Sequence, residues 1–335
     1  MAIIDYRSFI EEQFYIKNKV GVLVPFTFNA VQNKWYDDLL DEYGEELQGI
    51  RENDLKGRQF GISSIITGMI ATDTIMSELG EIAITDSDVY GHKDQETAAH
   101  LARFNLFLNS FLINSQGGGI QDMENTQAIE ALRKEFLKVD QGGHITTRKR
   151  GAQYQAQTAS AKVSGRGGTK TNIHWTEPAF YPNTQILNAK DLMTGAEKQV
   201  PTGYGKIFRE STGRSKADHY AVEYYKGKEG RGEYKSRFLA WYLYPDYSRT
   251  APDDWTLPEY YQTLYKEGLA TREQCYWHWV ATDQLQDKHE LREYPTYDYE
   301  AFIAGGKTFF DTDSLLYYNN RVTKPLRELT YATSL

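Results

Sequence analysis

The sequence predicts an α/β protein on a mostly parallel sheet, and three observations carry that expectation. Short apolar segments at residues 81–85, 172–175 and 206–210 read as strands that end in polar residues, and open parallel sheets hold ligands beyond the carboxyl ends of their strands. Apolar residues at helical spacing alternate with them, as in Ile65, Ile66, Met69, Ile70, Ile75 and Met76,. Ahead of that helix stands Lys56-Gly-Arg-Gln-Phe-Gly-Ile-Ser-Ser64, a glycine-bearing loop. Strand, loop, helix, strand is the βαβ unit that a phosphate-binding loop requires.

In order along the chain, residues 20–28 are β-branched and aromatic and suit a strand, and residues 35–47 read as an acidic helix,. The polar segment 50–55 is the strand expected before the loop. A second long helix is expected over 94–113, with Leu101, Phe104, Leu106 and Leu108 on it, and another over 126–137 within a glycine-punctuated region. Residues 153–159 give a further strand. From Ala217 the composition shifts to tyrosine and charge, which predicts a small aromatic-rich lid, with helices near 258–267 and 271–284. The expected organisation is a core over 1–216, a lid with the remaining core elements over 217–310, and the start of a linker over 311–335.

Composition narrows the function classes. With 335 residues, 40% hydrophobic and 25% charged, the chain is globular, and its 25 Tyr and 6 Trp make it unusually aromatic,. No uncharged apolar run approaches the ~18 residues of a transmembrane helix, and the N-terminus lacks a signal-peptide h-region, so a cytosolic protein is expected. The single Cys275 excludes an intrachain disulfide and a cysteine-cluster zinc site, and reads as a half-buried small hydrophobe,. His174 and His278 have no metal-like partners at suitable spacing. A net charge of −8 argues against coating nucleic acid over the whole surface and leaves room only for a local basic track,.

A nucleotide-binding P-loop reads G-x-x-x-x-G-K-[ST]. Aligned on Gly61 and Ser63, this loop has Ile62 in the lysine slot and Lys56 in the first glycine slot. Alone, such a half-match reads as a strand-to-helix turn. Two downstream strand ends change that. Asn172-Ile-His-Trp-Thr-Glu177 places Thr176-Glu177 where an acid for water or metal is needed. Glu210-Ser-Thr-Gly213 places two hydroxyls, Ser211 and Thr212, where they can sense a γ-phosphate.

These three segments, with Gly165-Arg-Gly167, His174-Trp-Thr-Glu-Pro-Ala-Phe180, Glu293-Tyr-Pro-Thr-Tyr-Asp-Tyr-Glu-Ala-Phe302 and Gly305-Gly-Lys-Thr-Phe-Phe-Asp311, resemble the large terminase of tailed bacteriophages, in that family's order. The resemblance implies a P-loop ATPase of the RecA-like class that uses ATP and Mg²⁺ to drive double-stranded DNA into a procapsid. Its implied partners are the portal protein, the small terminase subunit and other copies of the chain in a ring, with isolated subunits monomeric. Its implied place is the portal vertex in the host cytoplasm. Family members continue into a nuclease domain, and this chain is expected to carry the ATPase half and no nuclease.

The resemblance also implies roles. Gln59, Gly61, Ile62, Ser63 and Ser64 would surround the phosphates, with the Ser63 hydroxyl on Mg²⁺, and Glu177 would orient water. Thr176 stands where a stricter motif has Asp, so any metal contact there runs through water or hydroxyl. Gln32 resembles the family's adenine-reading glutamine. In this family a basic residue near the start of the loop replaces the usual lysine, and both Lys56 and Arg58 answer that description. Arg166 corresponds to an arginine finger reaching a neighbouring subunit. Arg148, Lys149, Arg150, Lys162 and Lys170, with Arg166, form the local basic track, suited to DNA phosphates. Other readings are a helicase-like DNA-dependent ATPase, which needs a second α/β domain that residues 217–335 do not suggest, and a degenerate, non-catalytic P-loop assembly module.

Overall fold

A computed structural model describes residues 3–160, 168–182, 188–283 and 289–302. Ten strands are described: β1 (Tyr15–Lys17), β2 (Leu23–Pro25), β3 (Arg51–Lys56), β4 (Asp86–Gly91), β5 (Leu137–Gln141), β6 (His144–Thr147), β7 (Gln153–Thr158), β8 (Asn172–Thr176), β9 (Lys206–Ser211) and β10 (Lys235–Leu239). The described α-helices are α1 (Tyr6–Gln13), α2 (Ala30–Tyr43), α3 (Ile62–Leu79), α4 (Asp94–Asn114), α5 (Thr126–Phe136), α6 (Ala189–Glu197), α7 (His219–Lys228), α8 (Glu259–Lys266), α9 (Arg272–Asp283), α10 (His289–Glu293) and α11 (Asp298–Ala301). Strands β1 and β2 pair as a small hairpin, and the other eight form one sheet in the order β10-β3-β9-β8-β4-β7-β6-β5. From β10 to β7 all pairs are parallel, and β6 and β5 add an antiparallel edge.

Helices cover both faces of this sheet. Val89, Tyr154 and Phe208 turn toward α1–α4, whereas Tyr90, Ile173, Trp175 and Ile207 join a separate apolar cluster with α6. That split follows from the period-2 alternation of strand side chains. Helix α3 lies at the centre, with Asp73 near its middle accepting hydrogen bonds from Tyr6 Oη, Asn172 Nδ2 and Lys206 Nζ at 2.6, 3.1 and 2.7 Å.

Polar strands survive burial here because their side chains are paired. Every residue of β3 is buried: Arg51 donates to the carbonyls of Ile50 and Gly205, Glu52 pairs with Arg237 at 3.2 Å, and Asp54 accepts from Trp35 Nε1 at 2.9 Å. The same reasoning corrects the strand expected over 81–85. Ile84 is exposed, and the strand is the following segment β4, where Asp86 and Asp88 share Lys170 and Ser87 bonds Asn172. Residues 20–28 likewise supply only the three-residue β2, with Val20 and Val22 exposed. Helix α2 begins five residues before the expected Trp35 because Asn29 and Gln32 form a reciprocal capping box,.

The tyrosine-rich stretch divides. Helix α7 and strand β10, which the composition shift points to as a lid, complete the sheet beside β3. The described residues of 241–283 and 289–302 then pack aromatic on aromatic, with Tyr247 stacked on Trp277 at 4.1 Å and Phe60 of the loop 6.0 Å from both Tyr244 and Tyr247. Cys275 is fully buried, and burial pushes its thiol up to about 11. Among the described residues no helix is long and apolar enough to cross a membrane.

Candidate nucleotide site

The loop 57–61 leaves the carboxyl end of β3 and opens α3. Gln59 and Gly61 both take positive φ, +57° and +77°. Glycine meets that demand at 61, where a Cβ would also lie 2.6 Å from Gln32 Nε2,. Gly61 caps α3 without any side-chain bond, while Ser64 and Ile65 N–H donate to its carbonyl at 3.0 and 3.1 Å, so the positive dipole end of α3 lies at the loop, an arrangement suited to an anion. The loop borders a cleft of about 940 Å³ lined by Lys17, Lys19, Asn29, Gln32, Lys56, Gln59, Gly61, Ile62, Ser63, Ser64, Arg103 and Tyr244. That volume suits a nucleotide-sized ligand.

Beneath the loop lies a buried cluster of charge. Lys56 Nζ sits 2.9 Å from Glu177 Oε1 and 3.1 Å from Glu210 Oε2. Burial alone would depress the lysine's pKa, but the two carboxylates reverse this and hold it above its ordinary value. Glu210 is completely buried, which by itself would favour the neutral acid, yet Lys56, His174 and Ser63 hold it well below the usual carboxylate range,. Ser63 Oγ donates to Glu210 Oε1 at 2.7 Å, and His174 Nε2 lies 3.3 Å from the same oxygen.

Glu177 is fixed by backbone and by hydroxyls. Its φ of +52° is a left-handed conformation in a non-glycine residue, of the kind that concentrates at functional sites,. Its N–H donates to the Glu210 carbonyl at 2.8 Å. Its Oε2 accepts from Thr212 N, Thr212 Oγ1 and Ser211 Oγ at 2.9, 3.1 and 3.2 Å. The loop, the end of β8 and the end of β9 thus converge on one acid–lysine centre.

The segment 293–302 braces that centre from outside. Arg58 N donates to the Glu293 carbonyl at 3.0 Å, and the Arg58 side chain pairs with the Glu293 carboxylate at 3.1 Å. At the other end a Cβ on Gly213 would stand 2.0 Å from the Ala301 carbonyl oxygen, so only glycine lets the 211–213 turn lie against α11. Glu300 holds this segment together by accepting from Thr296 N and Tyr260 Oη at 2.7 and 2.6 Å.

Most of the residues singled out in the sequence meet at this place. Lys56, Ser63, Glu177, Ser211 and Thr212 share one network, and Gln59, Gly61, Ile62 and Ser64 line the cleft beside it. Geometry separates Lys56 from Arg58: Lys56 occupies the carboxylate centre, while Arg58 is 60% exposed and turns to Glu293. Gln32 lines the cleft, but its amide is engaged, accepting from Asn29 N and donating to Gly61 O at 2.9 and 2.8 Å. Thr176 is buried beside Glu210 in strand register.

The basic track is thinner than expected. Lys170 is committed to Asp86 and Asp88, and the Arg148 guanidinium donates to the carbonyls of Lys134, Glu135 and Leu137 at the end of α5. Lys149 and Arg150 are exposed, their backbone N–H groups held by Glu78. Lys162, Arg166 and residues 305–311 lie outside the described residues.

Three residues at this place were not expected from the sequence: Glu210 and His174 in the buried cluster, and Arg103 on the cleft wall. Each carried a faint signal: a glutamate just ahead of the paired hydroxyls, a histidine inside an otherwise apolar strand, and an arginine interrupting the apolar run of α4. Another cavity, of about 300 Å³ around Tyr6, Asp73, Asn172 and Lys206, lies at the amino ends of β8 and β9. Lys206 and Asp73 there bond each other at 2.7 Å.

The architecture is a mostly parallel α/β sheet flanked by helices, with a glycine-bearing loop after β3 and with acid and hydroxyls at the ends of β8 and β9. Among solved structures that fold is found in the large terminase of bacteriophage HK97, at 13% identity and a TM-score of 0.52, over 86% of this chain. The chain spans about half of that protein, 53%. The large terminase ATPase domain of Thermus phage P74-26 is also similar, at 13% identity and a TM-score of 0.42 over 76% of this chain and 91% of its own. No family model and no curated protein matches the sequence.

Proposed function

We propose that this chain is the ATP-hydrolysing part of a viral large terminase and that it powers movement of double-stranded DNA into a procapsid. The observation that carries the reading is Lys56, ion-paired to Glu177 and Glu210 directly beneath the Gly61–Ser63 turn. A P-loop ATPase needs one cation able to reach β/γ-phosphates and one carboxylate able to orient water. Here the two are held against each other, and an arriving triphosphate would compete for the lysine.

The fit to nucleotide and metal is supported by the chain's own groups. The uncapped, positive end of α3 suits phosphate oxygens,, and the Ser63 hydroxyl would be the loop's ligand for Mg²⁺. Among the described residues no group of three or more His, Cys, Asp or Glu side chains could hold a metal alone. Mg²⁺ commonly binds through phosphates, water and one or two protein oxygens, and with the triphosphate it would supply neutralisation of developing charge. Released from Lys56, Glu177 keeps its backbone placement and its hydroxyl partners, and orients the attacking water. Ser211 and Thr212 pass any shift of Glu177 to Gly213 and hence to α11. The large aromatic segment 241–302 is the part we expect to move against the core.

Portal protein, small terminase subunit and a ring of identical subunits complete the proposed machine, with Arg166 acting from a neighbour and Lys149 and Arg150 facing DNA. Gln32 would read adenine by exchanging one of its present bonds. The test is phosphate release from ATP by the wild-type chain and by Glu177→Ala, with linear double-stranded DNA, portal protein and small subunit present. Loss of the water-orienting carboxylate should slow turnover by ~10²-fold or more while nucleotide still binds. No turnover by the wild type in the complete mixture, or equal turnover by both proteins, would sink the proposal.

A further inference from the structure

Glu210 is the group that the expected motif does not account for. In P-loop NTPases the loop hydroxyl and an acidic residue from a neighbouring strand hold Mg²⁺ together, and the residue at that strand position here is Thr176, which has no charge. The acid is instead one strand over. Thr176 and Glu210 are partners in the β8–β9 register and project from the same face, toward α3,. The longer glutamate reaches Ser63, whose Oγ donates to its Oε1 at 2.7 Å.

Its surroundings fit a group awaiting a cation. The Glu210 side chain is 0% exposed, and its Oε2 makes no hydrogen bond, having only the ion-pair contact with Lys56 at 3.1 Å among the described residues. Such a carboxylate is costly to bury unless a positive charge faces it. Lys56 supplies that charge now, and it lines the cleft. Once Lys56 turns to a triphosphate, the oxygen it leaves lies beside the Ser63 hydroxyl and needs another cation. We infer that Glu210, with Ser63, is the protein carboxylate that holds the nucleotide-bound divalent cation, in the role that Thr176 cannot fill. The inference rests on the nucleotide reading of the cleft.

The test compares the wild-type chain, Glu210→Gln, Glu210→Asp and Thr176→Ala for binding of ATPγS in EDTA, binding of ATPγS with Mg²⁺, and Mn²⁺ bound to the ATPγS complex by electron paramagnetic resonance. Glu210→Gln should weaken Mn²⁺ binding by about tenfold or more, with ATPγS binding in EDTA undiminished because Lys56 is freed. Thr176→Ala should stay within about twofold of wild type on the same scale. Glu210→Asp keeps the charge on a shorter stem and should fall between, and it decides the matter if circular dichroism shows Glu210→Gln unfolded. Retention of Mn²⁺ affinity in the folded Glu210 variants, or its loss in Thr176→Ala, overturns the inference while leaving the nucleotide site standing. If the wild type binds no ATPγS under either condition, the nucleotide reading fails, and the inference with it.

Discussion

Replacing Lys56 by methionine keeps the volume of the side chain and removes the charge that joins two carboxylates. Both contacts are short, 2.9 Å to Glu177 and 3.1 Å to Glu210, and the lysine and Glu210 side chains are 8% and 0% exposed. Removing one partner of a buried ion pair costs about 3–5 kcal/mol, because the other charge is left uncompensated. With a urea m-value of about 3 kcal/mol/M for a chain of this size, the unfolding midpoint should fall by about 1–1.7 M. The cost should also depend on pH in a definite direction. Lys56 is raised, so its contribution is present below the unfolded lysine value and lost as pH climbs through its folded value. Glu210 is lowered, so its contribution is present above the unfolded value near 4.5 and lost as pH falls through its folded value,. In the wild type the network is therefore at full strength at pH 5–8.

Without Lys56, burial dominates at Glu210 and its carboxyl takes up a proton more readily, so the gap between variant and wild type should narrow from pH 7 to pH 5. Glu210→Gln in the Lys56→Met background should recover part of the loss. Arg58→Ala removes an exposed pair and should cost no more than about 1 kcal/mol. Urea unfolding of the four proteins at pH 5, 6 and 7 tests this. A Lys56→Met loss below about 1 kcal/mol, unchanged by pH or by the second substitution, would refute the reasoning, since a buried pair of this kind cannot be removed so cheaply.

Two further outcomes follow from close contacts and from exposure. Gly213→Ala places a Cβ 2.0 Å from a backbone oxygen, so α11 must move away; an unfolding cost of ~3 kcal/mol with faster hydrogen exchange over residues 293–302 is expected,, and a change under ~0.5 kcal/mol would contradict the contact. If the exposed Lys149 and Arg150 touch DNA phosphates, the double alanine variant should lower the salt slope of DNA binding by about 2, whereas Lys170→Ala should lower stability and leave that slope alone. Filter binding of linear DNA across a salt series separates the two, and an equal effect of all three lysine and arginine losses would contradict the assignment.

Where local pattern and burial agreed, the sequence was readable: the apolar helix after Gly61 is α3, and strands expected at 153–159, 172–175 and 206–210 are β7, β8 and β9 with small changes at their ends. It was misread where polar residues are buried in pairs. Asp86 and Asp88 look like a strand's solvent end, yet Lys170, eighty residues on, neutralises them inside the sheet. The same long-range pairing hid Glu210, since nothing local says that Lys56 and Ser63 will meet it. For Lys56 the ambiguity with Arg58 was one of direction. Two residues apart near a loop, one points under it and the other away, and the Glu293 partner that draws Arg58 aside stands more than two hundred positions later.

A crystal structure of the chain with Mg²⁺ and ATPγS tests most directly whether Lys56 leaves its two carboxylates for a triphosphate. The prediction is Lys56 Nζ in contact with phosphate oxygen, Glu177 still tied to Thr212, and the Ser63–Glu210 pair facing the metal. Lys56 unmoved between Glu177 and Glu210, with Arg58 swung from Glu293 onto the phosphates, would contradict it.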